Sequence, residues 1–261
     1  MPSPPPPRSR TITVAGKEVA RIGLGTNRLT STPANSDFLR EAVEAGLGLI
    51  DTAHVYTGGE SERAIGAALS PPPAHVVVAT KGGYSGRGSP DELRAQIEQS
   101  RASLRTEAID LYYLHRVDPE TPLETSLGVI AEEREAGRIR EVGISAVSIE
   151  QIEAARRVVP IAAVQNHYNL EERGDEDVVD HCERNGIVFV PYYPLHVGRS
   201  PAMSEIAERH GATPSQIALA WLLHRSPAML PIPGTLSLEH LRENLAALEI
   251  ELSDAEFEAL G

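Results

Sequence analysis

The feature that most constrains this chain is a pattern that returns eight times: a short apolar run, then a helical stretch. The runs occupy 22–26, 47–51, 76–81, 109–115, 139–145, 161–166, 187–192 and 229–233. Each is too short for a buried helix, and most are apolar at consecutive rather than alternate positions. That marks strands covered on both faces, which occurs in parallel sheets flanked by helices. Eight strand–helix units in 261 residues predict an α/β fold, a (β/α)8 TIM barrel. An open doubly wound sheet would carry a glycine-rich phosphate turn after its first strand. Ile22-Gly23-Leu24-Gly25-Thr26-Asn27 has two glycines but lacks the third. Before the first unit, 11–14 and 18–21 flank Ala15-Gly16-Lys17 and predict an N-terminal β-hairpin.

Helix starts are signalled by five pairs that fit the capping box, Ser89/Glu92, Thr121/Glu124, Ser148/Gln151, Thr213/Gln216 and Ser253/Glu256. In three of them proline follows at once, as Pro90, Pro122 and Pro214, which suits the first helical position. No linker or change of composition interrupts the series. The expectation is one barrel domain over 10–261, preceded by a disordered, proline-rich tail over 1–9.

The chain has 24 basic and 37 acidic residues, a formal net charge of −13, which argues against binding nucleic acid or an anionic membrane surface. No run is long enough to span a bilayer, and the proline-rich start has no apolar core for a signal peptide. Cys182 is the single cysteine, so no disulfide forms within the chain, and the adjacent pair His181-Cys182 offers no metal-ligand spacing. A cytoplasmic monomer with no metal is expected.

Chemistry in such a barrel collects where strands end. The second run closes on Asp51, the third on Lys81 and the fourth on His115, with Tyr56 in the loop after the second. Any one of these alone reads as a capping or structural residue. Three ionisable residues on successive strand ends, with a tyrosine above them, describe a proton donor. A tyrosine is a weak acid at neutral pH. An ammonium such as Lys81 favours its phenolate, and Asp51 keeps that ammonium charged and oriented. His115 then steers a substrate carbonyl toward Tyr56.

The motifs Gly48-Leu49-Ile50-Asp51-Thr52-Ala53 with Tyr56, Ala79-Thr80-Lys81 and Asp110-Leu111-Tyr112-Tyr113-Leu114-His115 resemble the aldo-keto reductase superfamily, whose Asp-Tyr-Lys-His tetrad they carry in order. The resemblance extends over essentially the whole folded chain. It implies an oxidoreductase that reduces an aldehyde or ketone with NADPH by hydride transfer, with Tyr56 as general acid, Lys81 and Asp51 tuning it, and His115 orienting the carbonyl. It also implies cofactor contacts from Gly25, Thr26, Asn27 and Asp51, from Ser145 and Gln165 at the nicotinamide carboxamide, and from Tyr192 as a platform under the ring, followed by Pro194 and Leu195. After the eighth run, Gly234, Thr235, Ser237, His240, Glu243 and Asn244 match positions that bind the phosphates and the adenine.

Three departures bear on this. Ala146 stands where the family usually has asparagine, and Tyr193 where it has serine. NADPH-selective members are basic at the positions of Gly234 and His240, so here the 2′-phosphate would depend on Thr235, Ser237, His240 or Arg242, and NADH also remains open. Short loops and a chain that stops just after its last helix imply an open substrate site walled by Tyr84, Tyr193 and His196, with Trp221 in barrel packing. Two other readings fit the same residues. One is a nicotinamide-binding regulatory or channel-associated subunit with little turnover. The other is alcohol oxidation as the working direction.

Overall fold

Eight parallel segments close a ring in the computed structural model, which describes residues 9–195 and 200–261. The expected tail and His196 therefore lie outside the described residues, apart from Ser9. Strands β1 (Thr11–Val14) and β2 (Lys17–Ala20) form the expected antiparallel hairpin. Its two-residue turn has positive φ at both Ala15 (50°) and Gly16 (73°), the mirror-image turn whose twist suits a hairpin. The hairpin covers one end of the ring. Val14 and Val19 pack with Leu49, Val77, Leu111 and Leu230, and a Cβ on Gly48 would lie 2.8 Å from the Cβ of Val19.

The ring runs in chain order through β3 (Leu24–Gly25), β4 (Leu49–Asp51), β5 (Val77–Gly82), β6 (Ile109–Leu114), β7 (Ile139–Ser145), β8 (Ile161–Gln165) and β9 (Val188–Phe189), all parallel. The eighth run, 229–233, lies between β9 and β3 but forms no regular ladder. Leu230 N donates to Phe189 O at 2.9 Å on one side, while Gly23 N and Gly25 N donate to Pro231 O and Pro233 O at 2.9 and 3.2 Å on the other. The reason is chemical. Pro231 and Pro233 face β3 and have no N–H to return, so half of that ladder cannot form.

Strand alternation sorts the side chains into two shells. Ile50, Val78, Tyr112, Leu114, Val164 and Phe189 belong to the layer between sheet and helices. Leu49, Val77, Ala79, Leu111, Tyr113, Ala163, Val188, Leu230 and Ile232 fill the ring itself. Gly23, just before β3, is glycine because the space is taken: a Cβ there would meet Leu49 Cδ2 at 2.7 Å.

Three predicted capping boxes form fully, at Ser148/Gln151, Thr213/Gln216 and Ser253/Glu256. Two do not. The Ser89 hydroxyl donates to the Glu92 carboxylate at 2.9 Å and caps no backbone N–H. Thr121 is held by Asp118 Oδ2 at 2.9 Å, and Pro122 is the cap of the helix Leu123–Glu135 rather than its first residue. Trp221 is fully buried and stacks on Phe257 at 5.2 Å, in packing as expected.

Candidate active site

The inward phase of each strand places the ionisable residues. Leu49 and Asp51, Ala79 and Lys81, Tyr113 and His115, and Ala163 and Gln165 are each two apart, so where the first of each pair fills the ring the second points into its upper end. The chain stays in register beyond the strands. His54 N donates to Lys81 O at 2.9 Å and His115 N to Gly82 O at 2.7 Å. Past β4 it turns through the short 3-10 segment Tyr56–Gly59, with positive φ at Thr57 and Gly58. Thr57 Oγ1 fastens this turn by donating to Leu29 O at 2.7 Å, and Tyr56 is thereby returned over the ring.

Lys81 is fully buried and uses all three of its protons: Asp51 Oδ1 at 2.5 Å, Thr52 O at 2.7 Å and Tyr56 Oη at 3.3 Å. The second oxygen of Asp51 accepts from Gln165 Nε2 at 2.9 Å. Burial works against the Lys81 ammonium, but Asp51 and Tyr56 outweigh it and hold its pKa above the ordinary lysine value. Burial raises the Asp51 carboxyl, and Lys81 and Gln165 offset part of the rise.

Tyr56 differs from the sequence expectation. Burial raises its pKa and the neighbouring Lys81 recovers only part of this, so the net shift is upward. Tyr56 therefore keeps its proton through neutral pH, the state a donor needs. The ammonium is placed to stabilise the phenolate as the proton leaves.

The His115 ring meets Tyr56 edge-on at 5.9 Å and Tyr84 at 4.8 Å, and its buried Nδ1 has no hydrogen-bond partner among the described residues. Burial, with Lys81 and Arg116 close by, lowers its pKa to about 3. It is a neutral imidazole at physiological pH. A histidine depressed in the fold contributes stability above its unfolded pKa of about 6.5, and that contribution is lost as pH falls toward 3 at about 1.4 kcal/mol per unit. The melting temperature of the wild type should thus fall more steeply between pH 7 and 4 than that of His115→Asn, measured by thermal denaturation.

Above this cluster opens a cleft of about 730 Å³. Many of the residues expected at a cofactor line it: Gly25, Thr26 and Asn27 from the first rim, Asp51 at its base, Ser145 and Gln165 beside it. Tyr192, Pro194, Leu195 and Gly234 complete the far wall, and Tyr84 and Tyr193 stand at the mouth, 42% and 61% exposed. Thr235, Ser237, His240, Glu243 and Asn244 lie beyond the cleft lining, on the loop and helix that follow Gly234. Ser237 caps the helix Leu238–Ala246 by accepting from His240 N, and Thr235 Oγ1 accepts from Ser237 N at 3.0 Å. Asn244 is buried, and Glu243 accepts through its backbone carbonyl from Gln216. At the position occupied by Ala146 the backbone has φ of +56°, a conformation asparagine tolerates better than alanine.

Sequence reasoning placed Gln165 at the cofactor but missed that it also orients Asp51. A buried hydroxyl chain supports the rim: Thr52 Oγ1 and Ser61 Oγ are 2.7 Å apart, Ser61 donates toward Thr26 Oγ1 at 2.8 Å, and Thr26 donates to Asp51 O at 2.8 Å. Arg28 and Arg116 also line the cleft. The position of Arg116, next to His115 and just past a strand end, is the one signal that pointed to it. Among the described residues no cluster could hold a metal ion, and no helix is long and apolar enough to cross a membrane.

A closed parallel α/β barrel with a buried lysine–aspartate pair under a tyrosine at its open end defines a class of barrel protein with an ionisable site on one rim. The aldo/keto reductase family pattern matches residues 21–261, and the chain belongs to that family. It is 35% identical to pyridoxine 4-dehydrogenase of Escherichia coli over 274 residues, 94% of this chain and 95% of that protein. Its fold is similar to that of a thermostable aldo-keto reductase solved with the inhibitor epalrestat, with a TM-score of 0.88, 34% identity and coverage of 96% and 98% of the two chains. It is also similar to an aldo/keto reductase from Klebsiella pneumoniae solved with NADP and acetate, with a TM-score of 0.87, 29% identity and coverage of 97% and 94%.

Proposed function

We propose that the protein is an NADPH-dependent carbonyl reductase in which Tyr56 protonates the carbonyl oxygen. The observation that carries this reading is the single ammonium of Lys81, bonded to Asp51 at 2.5 Å and to Tyr56 Oη at 3.3 Å in a fully buried position. A charge held there serves the phenolate that forms when Tyr56 gives up its proton, and it needs no reorganisation to do so.

The residues present suit a dinucleotide. The cleft extends from Asp51 to Gly234, where the chain leads into the N-terminus of the helix Leu238–Ala246, the end that favours phosphate. Thr235 and Ser237 accept backbone N–H groups there; the Thr235 hydroxyl also donates to Ser237 O at 3.5 Å, while Ser237 keeps a hydroxyl proton to offer. Tyr192 offers an aromatic face, with the His167 ring stacked against it at 5.3 Å. When bound, a reduced nicotinamide supplies the hydride for the carbonyl carbon. The NADP-bound relative from Klebsiella pneumoniae supports the choice of NADP over NAD.

In this scheme neutral His115 donates or accepts a hydrogen bond at the carbonyl oxygen and aligns it with Tyr56. Lys81 stabilises the phenolate, Asp51 holds Lys81, and Gln165 holds Asp51. The test is fluorescence titration with NADPH and NADH, followed by a panel of aldehydes and ketones with the tighter cofactor. NADPH should bind more tightly, and cofactor should be oxidised as alcohol accumulates. Absence of binding by either nucleotide sinks the reading.

A further inference from the structure

We infer that the site selects carbonyl substrates carrying an anionic group, a carboxylate or a phosphate, which Arg116 holds; this rests on the reduction proposed above. Arg116 follows His115 directly and lines the same cleft. A guanidinium stays charged under all working conditions, yet this one has no counter-ion among the described residues. Its Nη1 is buried with no hydrogen-bond partner among the described residues. The contact it does make is with an aromatic face, its Cζ 5.6 Å from the centre of the Tyr192 ring.

The acids within reach are already engaged. Asp51, the one carboxylate among the described residues lining the cleft, is paired with Lys81 and Gln165. Asp118, two residues along, accepts from Gly88 N, Glu120 N and Thr121 Oγ1. A cation next to His115 with no ion pair among the described residues is also out of keeping with a chain of net charge −13. A buried charged donor left unbonded is costly, and an arriving anion that accepts from Nη1 relieves that cost.

The phosphates of a dinucleotide do not explain it. Arg116 follows β6, the fourth segment of an eight-segment ring, whereas the phosphate-suited helix follows the eighth, half a turn away. Next to His115, the guanidinium instead faces whatever is attached to the carbonyl that His115 orients. Its planar fork matches carboxylate and phosphate oxygens in pairs.

The experiment compares kcat/KM for benzaldehyde with 4-carboxybenzaldehyde, and for pyridoxal with pyridoxal 5′-phosphate, in wild type, Arg116→Gln and Arg116→Lys. The wild type should favour the anionic member of at least one pair, and the pair with the larger ratio identifies carboxylate or phosphate. Arg116→Gln should reduce that ratio about 10- to 100-fold, mainly through KM, the loss expected for a charged hydrogen bond. Arg116→Lys should restore part of it, because charge returns without the fork. A wild-type ratio near one in both pairs, or a ratio unchanged in Arg116→Gln, overturns the inference while leaving the reductase reading intact. An unchanged ratio together with weaker NADPH binding in the fluorescence titration assigns the guanidinium to the cofactor and also overturns it. A wild type inactive on all four compounds overturns the reductase reading itself.

Discussion

Tyr56→Phe is expected to lower kcat for carbonyl reduction by about 10²- to 10⁴-fold, the range a positioned general acid supplies. The protein should fold and bind NADPH as before. Among the described residues the Tyr56 hydroxyl is bonded to Lys81 alone, and Lys81 keeps Asp51 and Thr52 O when it is gone. The loss should appear in kcat more than in KM, because the proton moves only in the transition state. Steady-state kinetics with one good substrate, alongside a fluorescence titration of the cofactor, separates these quantities. Retention of wild-type kcat would assign the proton to another group.

Lys81→Met carries the second large effect, and it strikes stability as well as turnover. The substitution leaves Asp51 buried without its cation, which is expected to cost about 3–5 kcal/mol and lower the melting temperature by on the order of 10 °C in a chain of this size. The deficit should depend on pH. Without Lys81 the Asp51 carboxyl, already raised by burial, is raised further. A raised carboxyl costs nothing below the unfolded carboxylate pKa of about 3.9, and stability is lost as pH increases through the folded value. The gap to wild type should therefore be smaller at pH 4 than at pH 8. The double variant Asp51→Leu with Lys81→Met should be more stable than Lys81→Met alone, since removing both partners removes the uncompensated charge. Chemical denaturation of the three proteins at two pH values decides the matter. A single variant as stable as wild type would mean that the pair is not coupled as its geometry indicates.

The barrel was legible in the sequence because the strand runs are short and largely apolar, with a polar residue at or next to the end of β4 to β8, and alternation then dictates which of those residues face inward. Asp51, Lys81 and His115 could be grouped without coordinates for that reason. Gln165 could be placed on the rim, but its bond to Asp51 crosses 114 positions of sequence and leaves no local trace. The net direction of the Tyr56 shift was hidden for a related reason: it is a balance between burial and one nearby ammonium, and sequence reports the ammonium but not the burial. The caps at Ser89 and Thr121 do not form: the Ser89 hydroxyl bonds the Glu92 carboxylate without accepting a backbone N–H, and Thr121 is held by Asp118 one residue before the actual cap, Pro122. The eighth run was seen as a strand. Its two prolines, visible in the sequence, are what keep it from becoming a regular one.

Those prolines have a dynamic consequence. The seam between the eighth segment and β3 is held by two backbone bonds, from Gly23 and Gly25, and is reinforced by the buried Arg21 guanidinium, which donates to Met229 O, Leu223 O and Ser226 O. Every other junction of the ring can exchange donors in both directions along its length, whereas this one cannot. A junction bonded in one direction only opens more readily than a two-way ladder of the same length, and this line ends at Gly25 and Gly234, the two glycines bridged at the edge of the cleft. The wall against which a long ligand would be laid is thus a part of the cylinder ready to part and reseal around it.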